Sequence, residues 1–426
     1  MNYKEALDFI ETAKWKGSVP GLDRIKVLMH QMGDPQDSLK FIHIAGTNGK
    51  GSTAAMTASI LTAAGYKTGL HTSPHLVKYN ERYKIDGQDI TDEALCEAAQ
   101  AVKDAENALD EPLEVTVFER MTAMAFYYFA KEKCDFVVLE VGLGGRFDAT
   151  NVIKAPEAAV ICNLDLEHTE LLGNTIEEIA FEKGGIIKTG SPVVLYGQTS
   201  EAEGVIKRIC EEENCSLVIT DQNAAEVTYK GSGCQIFNYR SRKNIELSLI
   251  GTYQLNNALT VLDTIDELKK KYDIPEEAVY AGLKNASWPG RFQVLLKDPY
   301  VLLDGAHNPN GVNELVKCLK DYFPGIKFTF MCGVMADKDY DSMLSAVAPL
   351  ANGFVTVTPS SHRALDSSAL GTFIEEHFHL PAEDAGSVPE GLKRILEIRN
   401  RGENICIFGS LYEVGDVIRY LESLSH

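Results

Sequence analysis

The chain has no uninterrupted apolar run of about 18 residues, the length a membrane-crossing helix needs, so no membrane span is expected. Its opening stretch, MNYKEALDFIETAKWKG, has a helical period and acids in its first turns but no apolar signal core. That points to a soluble, cytoplasmic protein. The nine cysteines are scattered and form no C-x-x-C pair, which excludes the usual zinc and disulfide patterns and reads as reduced thiols. Basic residues are scarce: 41 Lys and Arg stand against 61 Asp and Glu, a net charge of −20. Broad binding to nucleic acid or to an anionic membrane needs the opposite balance. If the substrates are anions, local cations and metal must hold them. There is no internal repeat and no low-complexity segment.

What is present is globular. The 426 residues suffice for one very large domain or two to three ordinary ones, and 45% are apolar, with 24% charged. Apolar, β-branched runs alternate with helical patterns. FIHIAG (41–46) leads into a helix reaching about Ala64; DFVVLEVG (135–142), AAVICNLD (158–165) and PVVLYG (192–197) follow, with a helix TIEEIAFEKGGII between the last two. Unbroken apolar strands between helices predict a buried, mostly parallel sheet, whose ligands sit outside the C-terminal strand ends. Residues 225–250 alternate and carry turn residues, predicting antiparallel strands on a flank, and 253–285 is helical. Pro, Gly and Asp-Pro signals near 289–299 mark a linker. Beyond it the alternation restarts with YVLLDGA, KFTFMCGV, GFVTVTP and NICIFGS. The expected division is therefore 1–297 and 298–426.

The segment GTNGKGS (46–52) resembles a phosphate loop but departs from G-x-x-x-x-G-K-[ST]. Ile44 stands where the first glycine would be, and Gly51 displaces the hydroxyl to Ser52 or Thr53. Gly46, Gly49 and Gly51 let backbone N–H groups approach phosphate oxygens, and the following helix points its positive end at the same place. Lys50 can reach the outer phosphates. Glu140 closes the run FVVLE, where an acid suits magnesium, although a capping acid fits equally well there. Gly142, Gly144 and Gly145 form a second close-approach loop, with Arg146, Asp148 and Asn151 as polar heads. Asp165, Glu167 and His168 follow a third strand and offer a second metal position. Lys183 lies on a helix facing the same rim. Arg291, beside the linker, and Asp304, His307 and Asn308, after the first strand beyond it, are placed to reach ATP across an interdomain cleft.

Taken together, HIAGTNGKGS (43–52), HTSPHL (71–76), NERYKIDG (80–87), TVFERMTAMAF (116–126), LEVGLGGRFDATN (139–151), FEKGGIIK (181–188), PGRF (289–292), DGAHNPNG (304–311) and GSLYEVGD (409–416) resemble the folylpolyglutamate synthases and their bifunctional dihydrofolate synthase relatives. These are Mur-ligase-like, ATP-dependent amide ligases. The resemblance spans nearly the whole chain. It implies an α/β fold: an N-terminal P-loop-type, mostly parallel sheet with helices on both faces and a small antiparallel flank. A smaller C-terminal Rossmann-like α/β domain would close over ATP and glutamate. It further implies that Thr47, Asn48, Gly49, Lys50, Gly51 and Ser52 bind ATP phosphates, that Asn257, Arg291 and Asp304 contact ATP, and that His307 lies near it. Ser73, Glu140 and His168 would hold magnesium, and Lys183 would be carbamylated and steady a second Mg2+. Ser410 and Tyr412 would lie near the glutamate or the domain hinge. One departure is visible: the family usually has Gly-Leu-Asp-His where this chain has Asp165-Leu166-Glu167-His168.

The implied reaction phosphorylates a folate carboxylate, and the amine of L-glutamate then attacks the acyl phosphate; dihydropteroate is a further acceptor to test. Lys50 and magnesium would offset the repulsion between two anions, with Lys50, Lys183 and His307 as the catalytic candidates. The implied partners are small molecules only, and the implied state is a monomer. Two rivals differ in spelling or in need. A Mur-type UDP-muramyl amino-acid ligase normally places its hydroxyl directly after the loop lysine. A non-catalytic nucleotide switch has no use for so many polar residues at strand ends.

Overall fold

The structure, a computed structural model, describes residues 1–13 and 20–423. The helix expected at the N-terminus spans Tyr3–Glu11, and the 14–17 part of that expectation lies outside the described residues. The chain forms two compact units. One comprises Met1–Glu226, Phe237–Leu247 and Asn256–Ala286; the other comprises Val227–Ile236, Ser248–Leu255 and Ser287–His426.

The first unit is built on strands β1 (Phe41–Ala45), β2 (Thr68–His71), β3 (Tyr83–Ile85), β4 (Gln88–Asp89), β5 (Phe136–Glu140), β6 (Ala158–Ile161), β7 (Val193–Tyr196) and β8 (Leu217–Thr220). Their order is β4-β3-β2-β5-β1-β6-β7-β8. All neighbours from β2 to β8 are parallel, and β3 and β4 add antiparallel at one edge. The two strands at the centre, β1 and β5, are buried along their whole length, which is why they read as unbroken apolar runs. Register places Ile44 beside Glu140 and Ala45 beside Ile161. The chain therefore leaves β1, β5 and β6 side by side at one rim.

The helix after β1, Lys50–Ala63, is buried on nearly all sides and rich in small residues. Glycine makes one of its contacts possible. A Cβ on Gly282, in the helix Glu276–Asn285, would stand 2.5 Å from the Ile60 Cα, and the Gly282 carbonyl accepts from the Ser59 hydroxyl at 2.8 Å. Helix Ile176–Gly184 begins with a capping box in which Thr175 and Glu178 satisfy each other's backbone N–H.

Strands β9 (Ala225–Lys230), β10 (Gln235–Tyr239) and β11 (Arg242–Leu247) form a three-stranded sheet with connections so short that neighbours must be antiparallel. The second unit carries β12 (Gln293–Leu296), β13 (Val301–Leu303), β14 (Phe328–Cys332), β15 (Ala351–Thr358), β16 (Ala382–Ser387) and β17 (Asn404–Phe408), ordered β12-β13-β17-β14-β15-β16. All are parallel except β12, which adds antiparallel to β13. Residues 293–296, on the first side of the sequence-based break, are thus an edge strand of the second sheet. Aromatic rings of Phe323, Phe328, Phe330, Phe354 and Phe408 pack in its core, edge-on or tilted except for Phe330 and Phe354, which stack. Among the described residues no helix is long and apolar enough to cross a membrane. All nine cysteines are reduced.

Candidate active site

Gly46 leaves β1 so close to β6 that a Cβ on it would stand 2.6 Å from the Cys162 Cβ. The amides of Thr47 and Asn48 both donate to the Asn163 carbonyl, at 2.8 and 3.3 Å. They fasten the loop to the next strand end. The Thr47 hydroxyl does the same work, accepting from the Asp165 amide and donating to its carbonyl, each at 3.1 Å. Gly49 is the N-cap of the helix, with φ +86°, and a side chain there would meet Asn257 Oδ1 at 2.5 Å. Asn257 is therefore packed against the loop. The helical ladder starts with the Thr53 amide on the Gly49 carbonyl at 2.9 Å. The amides of Lys50 and Gly51 thus lie at the helix's positive end.

Two lysines meet at one carbonyl. Lys50 Nζ donates to Gly46 O at 3.0 Å and to Thr47 O at 3.2 Å, and Lys183 Nζ donates to Gly46 O at 2.8 Å. Lys183 is buried, and burial, reinforced by the Lys50 charge, pushes its pKa down to about 7, while Glu167 and Asp148 oppose the shift. The glycine-rich loop after β5 explains how Lys183 is held. A Cβ on Gly145 would stand 2.8 Å from the Lys183 carbonyl, and Asn151 Nδ2 donates to the carbonyls of Arg146 and Gly185, both at 3.0 Å. Arg146 stacks on Phe181, its Cζ 4.0 Å from the ring centre. Asp148 is spent internally on the amides of Leu143 and Thr150, at 2.9 and 3.0 Å. What this loop approaches closely is the Lys183 helix.

Glu140 and Ser73 are brought together: the Ser73 amide donates to Glu140 Oε2 at 3.0 Å, and the carboxylate is buried. The segment 71–82 is tied up tightly. The amides of Leu76, Val77 and Lys78 all donate to the Glu81 carboxylate, at 2.7, 2.6 and 2.6 Å. Arg82, also buried, closes the turn from the other side: its carbonyl accepts from Thr72 N at 3.2 Å and His71 Nδ1 at 2.9 Å, and its Nε donates to His75 Nδ1 at 2.8 Å. His168 has φ +51° and leads the short helix Thr169–Leu172. Its side chain is 54% exposed, with Nε2 4.0 Å from Glu167 Oε1. Among the described residues no three His, Cys, Asp or Glu side chains gather within metal-holding range. Asp165 Oδ1 instead takes the Leu166 amide at 2.8 Å.

The second unit holds the remaining expected residues. Asp304 is buried and accepts the amides of Phe292 (2.6 Å) and Ala306 (2.8 Å). Burial raises its pKa, with Arg291 opposing. Arg291 lies over the backbone at Gly305, where a Cβ would touch Nη1 at 2.3 Å. His307 Nδ1 donates to the Gly305 carbonyl at 2.8 Å, which leaves Nε2 as the basic nitrogen. Asn308 caps the helix Pro309–Tyr322. Ser410 is buried, and its hydroxyl takes the Tyr412 amide at 3.0 Å; Tyr412 itself is exposed. Sequence reasoning did not single out Arg82, nor Tyr253, which is half-buried beside Asp304. The partners of Arg82 lie close in sequence, at His71, Thr72 and His75, but only the folded turn brings them round it, and Tyr253 meets Asp304 from some fifty positions away.

The Mur ligase middle domain matches residues 44–264, and the Mur ligase glutamate ligase domain matches residues 290–411. The chain is 36% identical over 440 residues to dihydrofolate synthase/folylpolyglutamate synthase of Bacillus subtilis (strain 168), covering 99% of each. The chain belongs to the folylpolyglutamate synthase/dihydrofolate synthase family. Solved members share its architecture. Folylpolyglutamate synthase from Thermotoga maritima superposes with a TM-score of 0.89 at 33% identity, over 99% of this chain and 97% of that one. Folylpolyglutamate synthase of Mycobacterium tuberculosis complexed with ADP gives 0.88 at 30% identity, over 98% and 97%. The α/β fold and the ligase class expected from the sequence hold, and the UDP-muramyl alternative is matched only at the breadth of the Mur ligase family.

Proposed function

We propose that this chain joins L-glutamate to the carboxylate of a folate in an ATP-driven reaction in the cytoplasm, with dihydropteroate as a second acceptor. The observation that carries this reading is the convergence at one rim. Lys50 and Lys183 share the Gly46 carbonyl, Asn257 packs on Gly49, and Ser73 meets Glu140. A phosphoryl group held there finds a helix N-terminus and two cationic or neutral amines within one loop.

Lys50, with the amides of Lys50 and Gly51 and the Ser52 hydroxyl, binds the outer phosphates. The γ-phosphoryl passes to the folate carboxylate, releasing ADP and leaving an acyl phosphate. The neutral amine of glutamate attacks its carbonyl, and the tetrahedral intermediate expels phosphate to leave the amide. His307 Nε2 is the residue of the second unit suited to take the amine proton, with water as the alternative. We assign ATP contacts also to Arg291 and Asp304. The oxygen donors of Glu140 and Ser73 suit magnesium, which takes few carboxylates and keeps its waters; the imidazole of His168 is a softer donor. Bound there, magnesium would supply charge neutralisation to the phosphates.

Lys183 fits carbamylation. A pKa near 7 leaves much of its amine neutral, so Nζ can add to carbon dioxide and release one proton. The product is a carboxylate-like group that would hold a second ion with His168. The deciding experiment is mass spectrometry of purified protein with ATP, magnesium and L-glutamate, offering tetrahydrofolate and dihydropteroate in separate tubes. Glutamyl addition to either supports the ligase, and addition to both supports the bifunctional reading. ATP consumption independent of acceptor and glutamate would sink it.

A further inference from the structure

Arg82 makes an unusual bond. A buried guanidinium normally faces a carboxylate or backbone carbonyls, because its five N–H groups are strong donors with a charge to be balanced. Here Arg82 Nε donates to an imidazole nitrogen, His75 Nδ1, at 2.8 Å. Arg has no acceptor, so Nδ1 must carry the lone pair and the ring's proton must sit on Nε2. The tautomer is thereby fixed by geometry. The ring of His75 is also held in place by Tyr79, at a centroid distance of 4.4 Å. Among the described residues no protein group takes the Nε2–H, and His75 is only half-buried.

The turn that carries His75 is as firmly built as any in the unit. Arg82 brackets it through Thr72 N, His71 Nδ1 and His75 Nδ1, and Glu81 gathers the amides of Leu76, Val77 and Lys78. Two residues before His75, the Ser73 amide is bonded to Glu140. A single-proton donor of fixed direction thus stands beside the Ser73–Glu140 pair. An acceptor oxygen is what such a donor recognises. A neutral donor adds no net charge to a rim that already has two lysines.

We infer that His75 is a specificity-determining residue that donates its Nε2–H to an oxygen of the carboxyl-bearing acceptor, and that Arg82 is the positioning residue that fixes its tautomer and the turn around Ser73. This rests on the ligase reading above. The test compares wild type, His75→Phe, His75→Gln and Arg82→Met in steady-state glutamyl addition, varying acceptor and ATP separately, with thermal melts as a folding control. His75→Phe keeps the ring and loses the donor, whereas His75→Gln restores an N–H near the Nε2 position.

The expected result is a roughly 10- to 100-fold fall in kcat/KM for the acceptor in His75→Phe, an ATP KM within about twofold of wild type, and recovery of most of the loss in His75→Gln. Arg82→Met should fall as far as His75→Phe for the acceptor. Should His75→Phe be too unstable to assay, a His75→Gln variant with near-wild-type acceptor kcat/KM supports the donor role, and one that fails as an unfolded protein overturns it. A folded, wild-type-like His75→Phe overturns the inference while leaving the ligase reading intact. No product from wild type with either acceptor overturns both.

Discussion

The burial of Lys183 makes a thermodynamic statement. Its folded pKa of about 7 lies below the ordinary 10.5, so folding favours the neutral amine. The stability this group contributes is present above the unfolded pKa and is lost as pH falls through the folded one, so the full burial penalty applies below about pH 7. Lys183→Met should therefore melt higher than wild type near pH 6 and lose that advantage toward pH 10, while turnover is abolished. A lower melting temperature at pH 6 would contradict the burial argument. Lys183→Ala should likewise be inactive, yet partly rescued by short carboxylic acids if a carbamate normally stands there. At Gly49 the expectation is steric. Gly49→Ala forces a Cβ onto Asn257 at a left-handed φ, and calorimetry with a non-hydrolysable ATP analogue should show affinity weakened by about tenfold or more, at a cost of roughly 1–2 kcal/mol.

At the scale of elements, the helix Lys50–Ala63 delivers the loop, and its backing is a helix 220 residues away in the chain. Gly282→Val would push a side chain into the Ile60 backbone, and overpacking of this kind costs typically about 1–3 kcal/mol. Urea denaturation should show that loss, with a raised ATP KM, since the loop rides on the helix. The elements most easily read from sequence were those buried on both faces. FIHIA, FVVLE and AAVI appear as strands because parallel central strands are continuously apolar. The strands left unread were short or marginal ones. Gln88–Asp89 has two residues, Thr68–His71 contains a glycine, and Ala382–Ser387 is a polar strand at a sheet edge. Edge strands need only one hydrogen-bonded flank and no apolar run, so composition carries little trace of them.

For the whole molecule, the charge of −20 excludes a general attraction for polyanions, so the anionic substrates must be held locally. ATP consumption should accordingly require both a folate-type acceptor and L-glutamate, and should tolerate moderate salt better than a polyanion-binding protein would. A coupled ADP-release assay with each component omitted in turn checks this; ATPase activity without glutamate would argue for a switch. The residues singled out from the sequence fall in both units. The phosphate loop, Ser73, Glu140, His168, Lys183 and Asn257 belong to the first, and Arg291, Asp304, His307, Ser410 and Tyr412 belong to the second.

The sequence by itself determined the family, the α/β alternation and the identity of the loop. These depend on residue types at fixed short spacings, which a chain carries with it whether folded or not. The tertiary structure alone decided which groups are spent on internal hydrogen bonds. Thr47 and Asn48 sit in the loop motif, yet their amides are taken by Asn163, because β1 and β6 emerge side by side. Arg146 and Asn151 of the second glycine loop likewise bond to the Phe181 and Gly185 carbonyls of the Lys183 helix and its C-cap, while Asp148 braces its own loop. Arg82 closes around the turn that carries Ser73 through its carbonyl and Nε, a role that shows only in the folded segment. Hydrogen-bond partners and burial are set by strand order and packing across the whole unit, and no local spacing records them.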